Sequence, residues 1–180
     1  MEQAAGATLA DLRAYFRHSS TTSMPIAGTI FWALTALLSF WLPERLLAFA
    51  VAGGSGLIFP LALLIDKLRG GSMTMSAAGN PVTGNFMRGI ATIGLLWPLV
   101  IIAGIAQPLI IILGAAILMA LVWIPYGWSA DDPVGLQHAI GRCVGAYAVY
   151  LFVPRPWTAL AICLVVIAAY LYSFARMRRD

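Results

Sequence analysis

The residues of this chain best suited to chemistry gather in one stretch, "WIPYGWSADDPVGLQHAIGR", residues 123–142. Within it His138 and Arg142 stand four apart, the spacing that places two side chains on one face of a helix. A guanidinium keeps its charge and offers donors in a planar fork, which suits a carboxylate or phosphate-like anion. An imidazole is the side chain that exchanges a proton near neutral pH. Asp131 adds a carboxylate, and Tyr126 and Trp128 add aromatic rings with polar edges. The candidate ligand site is therefore Arg142, His138, Asp131, Tyr126 and Trp128, with Arg142 holding an anionic group and His138 exchanging a proton.

Other chemistries find little support. There are two histidines, His18 and His138, and two cysteines, Cys143 and Cys163, with no CxxC spacing. A site with several His ligands cannot be built from one chain, and neither a metal nor a cofactor is expected. The cysteines read as buried thiols. No HExxH, no Ser/His/Asp set and no P-loop pattern is present. His138 with Asp131 is the one pair that acid–base catalysis would use. A lipid-modifying enzyme is accordingly the weakest reading, and the balance lies against an enzyme.

The elements that must position these residues are set by hydrophobicity. Of 180 residues, 61% are hydrophobic and 10% charged, and the mean hydropathy is +0.89. Soluble domains carry about 25% charged residues. The chain therefore reads as an all-α integral membrane bundle. Six apolar segments can be drawn, at about 25–42, 46–65, 89–106, 108–124, 134–153 and 157–174, each near the ~17–25 residues that cross a bilayer. The first begins too late, and lacks a small-residue cleavage site, to read as a cleaved signal peptide. Very short connections at "PER" (43–45), Gln107-Pro108 and "PRP" (154–156) predict three tight hairpins. Longer polar connections are expected at about 66–88 and 125–133. The division is a tail at 1–23, either an interfacial helix or frayed, one six-helix membrane domain at 24–175 and a basic tail at 176–180.

Charge orients the bundle. Arg13, Arg17, Lys67, Arg69, Arg88, Arg176, Arg178 and Arg179 lie with the termini and long connections, against Arg45 and Arg155 at the short turns. The positive-inside rule places both termini and both long connections in the cytoplasm, with the protein in the cell (inner) membrane. The net charge of +4 is a topology signal, and no nucleic-acid partner is expected.

In the fifth segment His138, Arg142, Gly145 and Val149 share a stripe, flanked by Gly135 and Gly141. Gly141 and Gly145 fit the small-xxx-small form that brings membrane helices close. Gly53, Gly54 and Gly56 in the second segment read mainly as packing positions as well, or as a helix break exposing backbone to a ligand. Arg142 lies about 13 Å into its helix, near the bilayer middle, where an Arg costs about 2.5–3.5 kcal/mol on insertion scales. It is a clamp paired with Asp66, Asp131 or Asp132, an anion contact, or a snorkelling side chain. Trp123, Tyr126 and Trp128 read as a headgroup-level belt, with Pro125 and Gly127 ending or bending the fourth helix and Asp132 capping the fifth.

Four motifs carry a resemblance: "LADLR" (9–13), "GLIFPLALLIDKLRG" (56–70), "GNP" (79–81) and "WIPYGW" (123–128). With these the chain resembles a group of small bacterial inner-membrane proteins known only as a domain of unknown function. The resemblance covers most of the chain and implies a single polytopic module without naming a substrate. Two functions are carried forward. One is a transporter-like membrane protein binding an anionic ligand in a cytoplasm-facing cavity lined by the fifth helix. The alternative is a non-catalytic accessory or structural subunit. The lipid bilayer is the expected partner, with a homo-oligomer or a membrane partner helix as the further candidates.

Overall fold

The computed structural model describes residues 6–19, 22–70 and 80–178. The described residues form helices and turns, with no strand among them. The helices are α1 (Leu9–Ser19), α2 (Ser23–Leu38), α3 (Glu44–Gly54), α4 (Ile58–Leu68), α5 (Pro81–Gly94), α6 (Trp97–Ala106), α7 (Leu109–Leu121), α8 (Trp123–Ala130), α9 (Val134–Phe152) and α10 (Arg155–Arg176).

Several of these are halves of longer rods. A 3₁₀ turn at Ser55–Leu57 joins α3 to α4. Pro60 lies just beyond it and has no N–H to offer the Gly56 carbonyl, so the regular ladder cannot run through. Pro98 acts likewise between α5 and α6, and Pro125 between α7 and α8. Each proline bends a rod without ending it. Four rods are long and apolar enough to cross a membrane: Glu44–Leu68, Pro81–Ala106, Leu109–Ala130 and Arg155–Arg176.

The helices start and stop where local chemistry dictates. Asn80 Oδ1 accepts the Val82 N–H at 2.9 Å and Pro81 occupies the first turn. The rod Pro81–Ala106 therefore begins earlier than hydropathy placed the third segment. Asp132 Oδ1 accepts the Val134 N–H at 2.9 Å and starts α9. The polar connection expected at 125–133 shrinks to 131–133, because Pro125 and Gly127 are accommodated inside α8. Residues 71–79 of the other long connection lie outside the described residues, as do the end of the basic tail, residues 179–180, and residues 1–5.

Contacts distant in sequence show which ends lie together. Ser23 Oγ donates to Asp66 at 3.0 Å, Asn80 Nδ2 to Leu12 O at 3.0 Å, Arg17 to Ala130 O at 3.0 Å and the Arg178 N–H to Asp132 Oδ2 at 3.0 Å. At the opposite end Glu44 and Arg155 are 3.9 Å apart, and the Tyr150 hydroxyl is 2.7 Å from the Gln107 amide. The tight turns around residues 39–43, 107–108 and 153–154 gather there. α10 packs on α9 and α2, α2 on α4, and α7 on α9 and α3.

The interior is built from Trp32, Leu47, Ile112, Ala116, Ile162 and Val166, all buried. Leu95, Ile105, Leu151 and Phe152 point outward and stay exposed. α1 is helical and packs on the bundle. Phe16 is buried against Val82, Phe86 and Ala130, while Leu9 and Tyr15 stay exposed.

Candidate functional site

The site begins from α9, whose buried face carries Val134, Gly135, His138, Ala139, Arg142 and Ala146. Leu136, Ile140, Tyr147 and Leu151 fall on the exposed face. The face follows from helical geometry, since residues three and four apart share one side. α9 approaches α8 closely because both are glycine at the crossing. A Cβ on Gly135 would lie 2.5 Å from the Gly127 Cα, a separation no side chain tolerates. Gly145 serves the α9–α10 contact, where a Cβ would press on Val165. Gly54 gives room to the Phe31 ring. Gly141, Gly53 and Gly56, read from sequence as packing positions, face open space, so each departs from that expectation. The flanking position of Gly141 on the helical wheel is far enough from the buried face to leave it outside.

Arg142 is fully enclosed, at 0% exposure. Its guanidinium carbon sits 5.4 Å from the ring centroid of Trp32 and 5.4 Å from that of Tyr170. α2 and α10 thus bring an aromatic ring each to one cation. Gly28 admits Tyr170, because a Cβ there would collide with the phenol group. Cation–π contacts are worth about 2 kcal/mol or more when desolvated. Two of them are comparable with the insertion cost, but they leave the donors unused. Nε, Nη1 and Nη2 of Arg142 make no hydrogen bond of good geometry among the described residues, and the Tyr170 hydroxyl is the polar group that stands beside them.

Among the described residues no carboxylate takes the place expected of one. Asp66 accepts from Ser23. Asp131 pairs with Arg13 at 3.0 Å. Asp132 caps α9 and accepts the Arg178 N–H. The acid clamp is therefore corrected to an aromatic enclosure.

His138 lies one turn before Arg142 on the same face. Its ring stacks on Trp123, with centroids 4.0 Å apart and planes 13° from parallel. Nδ1 is 2.7 Å from Ser173 Oγ. Ser173 also lies 3.0 Å from Ala169 O and can donate to it. With the serine proton spent on that carbonyl, Ser173 Oγ accepts from an Nδ1–H, and the His138 tautomer is assigned on that basis. The Nε2 lone pair then stays free, and Nε2 has no partner among the described residues. Trp32 Nε1 is a further buried, unpaired donor. The buried unpaired groups beside Trp123 and Tyr170 are thus the Arg142 donors and the His138 acceptor, with Trp32 Nε1 on the ring below Arg142.

The remaining sequence-chosen residues are placed elsewhere. Trp128 and Asp131 lie at the outer corner after α8, where Arg13 stacks on Trp128 at 4.9 Å and pairs with Asp131. Tyr126 packs with Phe16, Phe86 and Trp123. It lines an apolar cavity of about 230 Å³ together with Trp123 and Tyr170. No residue of α9 lines that cavity; His138 and Arg142 lie behind its Trp123–Tyr170 wall. That cavity is built by the neighbours of α9, and a second, shallower hollow at the outer corner is lined by Trp128, Asp131 and Leu136 of α9. Trp123, read as a headgroup-level residue, is buried, its ring stacked on His138 of α9. Trp32, Tyr170, Ser173 and Gly28 belong to the site, and sequence reasoning did not find them. Their one signal is depth, since each lies within about two or three turns of a helix end on the side of the termini, as Arg142 does.

Among the described residues no three His, Cys, Asp or Glu side chains cluster as metal ligands. No curated protein and no solved structure matches this chain significantly. A family model does match, over residues 9–178. The chain belongs to that family, the Family of unknown function (DUF7010).

Proposed function

We propose that this chain is a small polytopic membrane protein of six spans that binds an anionic, oxygen-bearing ligand at Arg142 and is transporter-like in kind. The membrane part rests on the four long apolar rods, on the outward Leu, Ile and Phe side chains and on the charge asymmetry between the two ends. α2 and α9 supply the other two spans. α9 carries Gln137, His138 and Arg142, which keeps it out of the four most apolar rods. Both termini lie in the cytoplasm, and the membrane is the cell (inner) membrane.

The ligand part rests on one observation: a fully buried Arg142 with three unpaired nitrogens. Each buried donor left unmet costs about 1–3 kcal/mol. A guanidinium cannot shed its charge to escape that cost. An oxyanion carrying one proton would match the enclosure, since it accepts from Arg142 and donates to His138 Nε2. Small-molecule sites take this form: a few converging polar groups in apolar walls. Release toward the cytoplasmic end follows the depth of His138, one turn nearer that end than Arg142.

The test uses purified protein in mild detergent at constant ionic strength. Bicarbonate and inorganic phosphate are titrated, with chloride as reference, and unfolding is followed. A site that fills gives about 2.7 kcal/mol at a hundred times its Kd. Saturable stabilisation of wild type by one of these, lost in Arg142→Gln, is the expected result. Wild type that responds to none of them would overturn the ligand reading.

A further inference from the structure

The apolar cavity is independent of the Arg142 enclosure, and its shape and surroundings point to an occupant. It lies between α4, which packs on α2, and α5, which packs on α8. Ile58 and Phe59 come from one side, Phe86 and Ile90 from the other, and Met119 closes the inner end. At the outer end stand Met24 and Met177, near the first and last turns of α2 and α10. Ile58 is ten residues from the end of α4 and Met119 eleven from the end of α8. At 1.5 Å per residue each is about 15 Å deep. That is about half of the ~30 Å hydrocarbon core, the thickness of one leaflet. The cavity therefore runs from the membrane surface to the midplane on the side of the termini.

Arginines stand near its outer end, outside the lining residues themselves. Arg69 Nη1 donates to Thr22 Oγ1 at 2.7 Å, two residues before Met24. Arg176 directly precedes Met177, and Arg17 directly follows Phe16, whose ring packs on Phe86 and Tyr126. The acids nearby are turned inward: Asp66 is buried on Ser23, and Asp132 on Val134 and Arg178. Arginines at a membrane surface attract anionic headgroups. An apolar slot of one leaflet's depth below them fits hydrocarbon.

We infer that the cleft between α4 and α5 is a binding site for one acyl chain of an anionic phospholipid, whose headgroup is held by Arg69 and Arg176. The inference rests on the membrane-spanning reading and is independent of the oxyanion site. The chain enters sideways from the cytoplasmic leaflet between the two rods, and Trp123 and Tyr170 stop it short of His138 and Arg142.

The experiment reconstitutes the full chain into bilayers containing a phosphatidylglycerol or a phosphatidylcholine with a diazirine in mid-chain. Cross-linked residues are then mapped by mass spectrometry. Leu99 and Leu151, on outward faces, report insertion with either probe. The expected result is labelling at Met119 and Ile90, several-fold stronger with phosphatidylglycerol. Ile90→Trp, which fills the slot, removes the Met119 label and leaves that at Leu151. Arg69→Gln brings the ratio between the probes toward one. Should Ile90→Trp fold poorly, excess unlabelled phosphatidylglycerol on wild type replaces it, expected to compete at Met119 and not at Leu151. Labelling confined to outward faces overturns the inference, as does equal labelling of Met119 by both probes. Absence of label even at Leu99 and Leu151 would instead overturn the membrane reading beneath it.

Discussion

The rings of Trp123 and His138 lie stacked, 4.0 Å between centroids and 13° from parallel. That contact exists because α8 and α9 cross with glycine against glycine, Gly127 on Gly135. The backbone on both sides leaves nothing flexible to give way. Gly135→Ala is expected to destabilise the protein by about 1–3 kcal/mol or more, the cost of overpacking. Thermal unfolding in detergent measures it. Gly141→Ala, with nothing within reach of its Cβ, is expected to be neutral or slightly stabilising, as an exposed helical Gly→Ala is.

Arg142 separates a clamp from a binding group. With no acid partner, Arg142→Met keeps the volume and removes the buried charge. Replacing buried charge by apolar groups of similar size is often neutral or stabilising by about 1–4 kcal/mol. The expected outcome is unchanged or raised stability with complete loss of oxyanion response. A drop of several kcal/mol would show that the two aromatic contacts with Trp32 and Tyr170 hold the bundle together, and the accessory-subunit reading would then lead.

Ser173 fixes the orientation of His138. Ser173→Ala leaves the Nδ1–H of a buried imidazole without its acceptor, at a cost of about 1–3 kcal/mol. The double variant with His138→Leu is expected to lose less than the sum of the two single variants, because they share one hydrogen bond. Strict additivity of the unfolding free energies would contradict the assigned pairing.

Asp131 has two local roles that substitution can split. Its backbone is left-handed, with φ 54° and ψ 45°, a conformation that Asn and Asp tolerate and β-branched residues resist. Its carboxylate meets Arg13 at the surface. Asp131→Asn is expected to cost no more than about 1 kcal/mol, the usual worth of an exposed pair. Asp131→Val adds the backbone strain and should cost clearly more. Equal losses in the two variants would mean that the ion pair, and not the turn, sets the corner.

Asp11 gives α1 an acid limit. The Thr8 hydroxyl and the Thr8 N–H, both donating to it, hold the Asp11 carboxyl below the usual carboxylate range. The Asp11 N–H returns a bond to Thr8 Oγ1 at 3.3 Å, a capping-box pattern. A carboxyl lowered on folding contributes stability above its ordinary value and loses it as pH falls through the folded value. Hydrogen exchange of α1 amides should therefore stay slow down to the ordinary carboxylate range and quicken below it. Asp11→Asn should weaken protection at neutral pH and flatten that step. A step unchanged in Asp11→Asn would show that the Thr8–Asp11 bonds do not set it.

The sequence by itself determined the helical class, the three tight turns and the burial of His138 and Arg142 on one face of α9. Each follows from local rules. A run of hydrocarbon must satisfy its backbone internally, proline breaks a ladder, and a period of 3.6 residues sorts one helix into faces. The length of the rods was partly misread, because Asn80 with Pro81 and the accommodated Pro125 and Gly127 extend helices into stretches whose composition resembles loops. Tertiary structure alone decided what Arg142 meets. Asp66 and Asp131 were plausible by depth and charge, yet Ser23 and Arg13 engage them, and Trp32 and Tyr170 arrive from α2 and α10. Which faces of separate helices meet depends on crossings set by glycines such as Gly28, Gly127 and Gly135. Hydrophobic pattern carries little information about that, because in an apolar chain nearly every face is apolar.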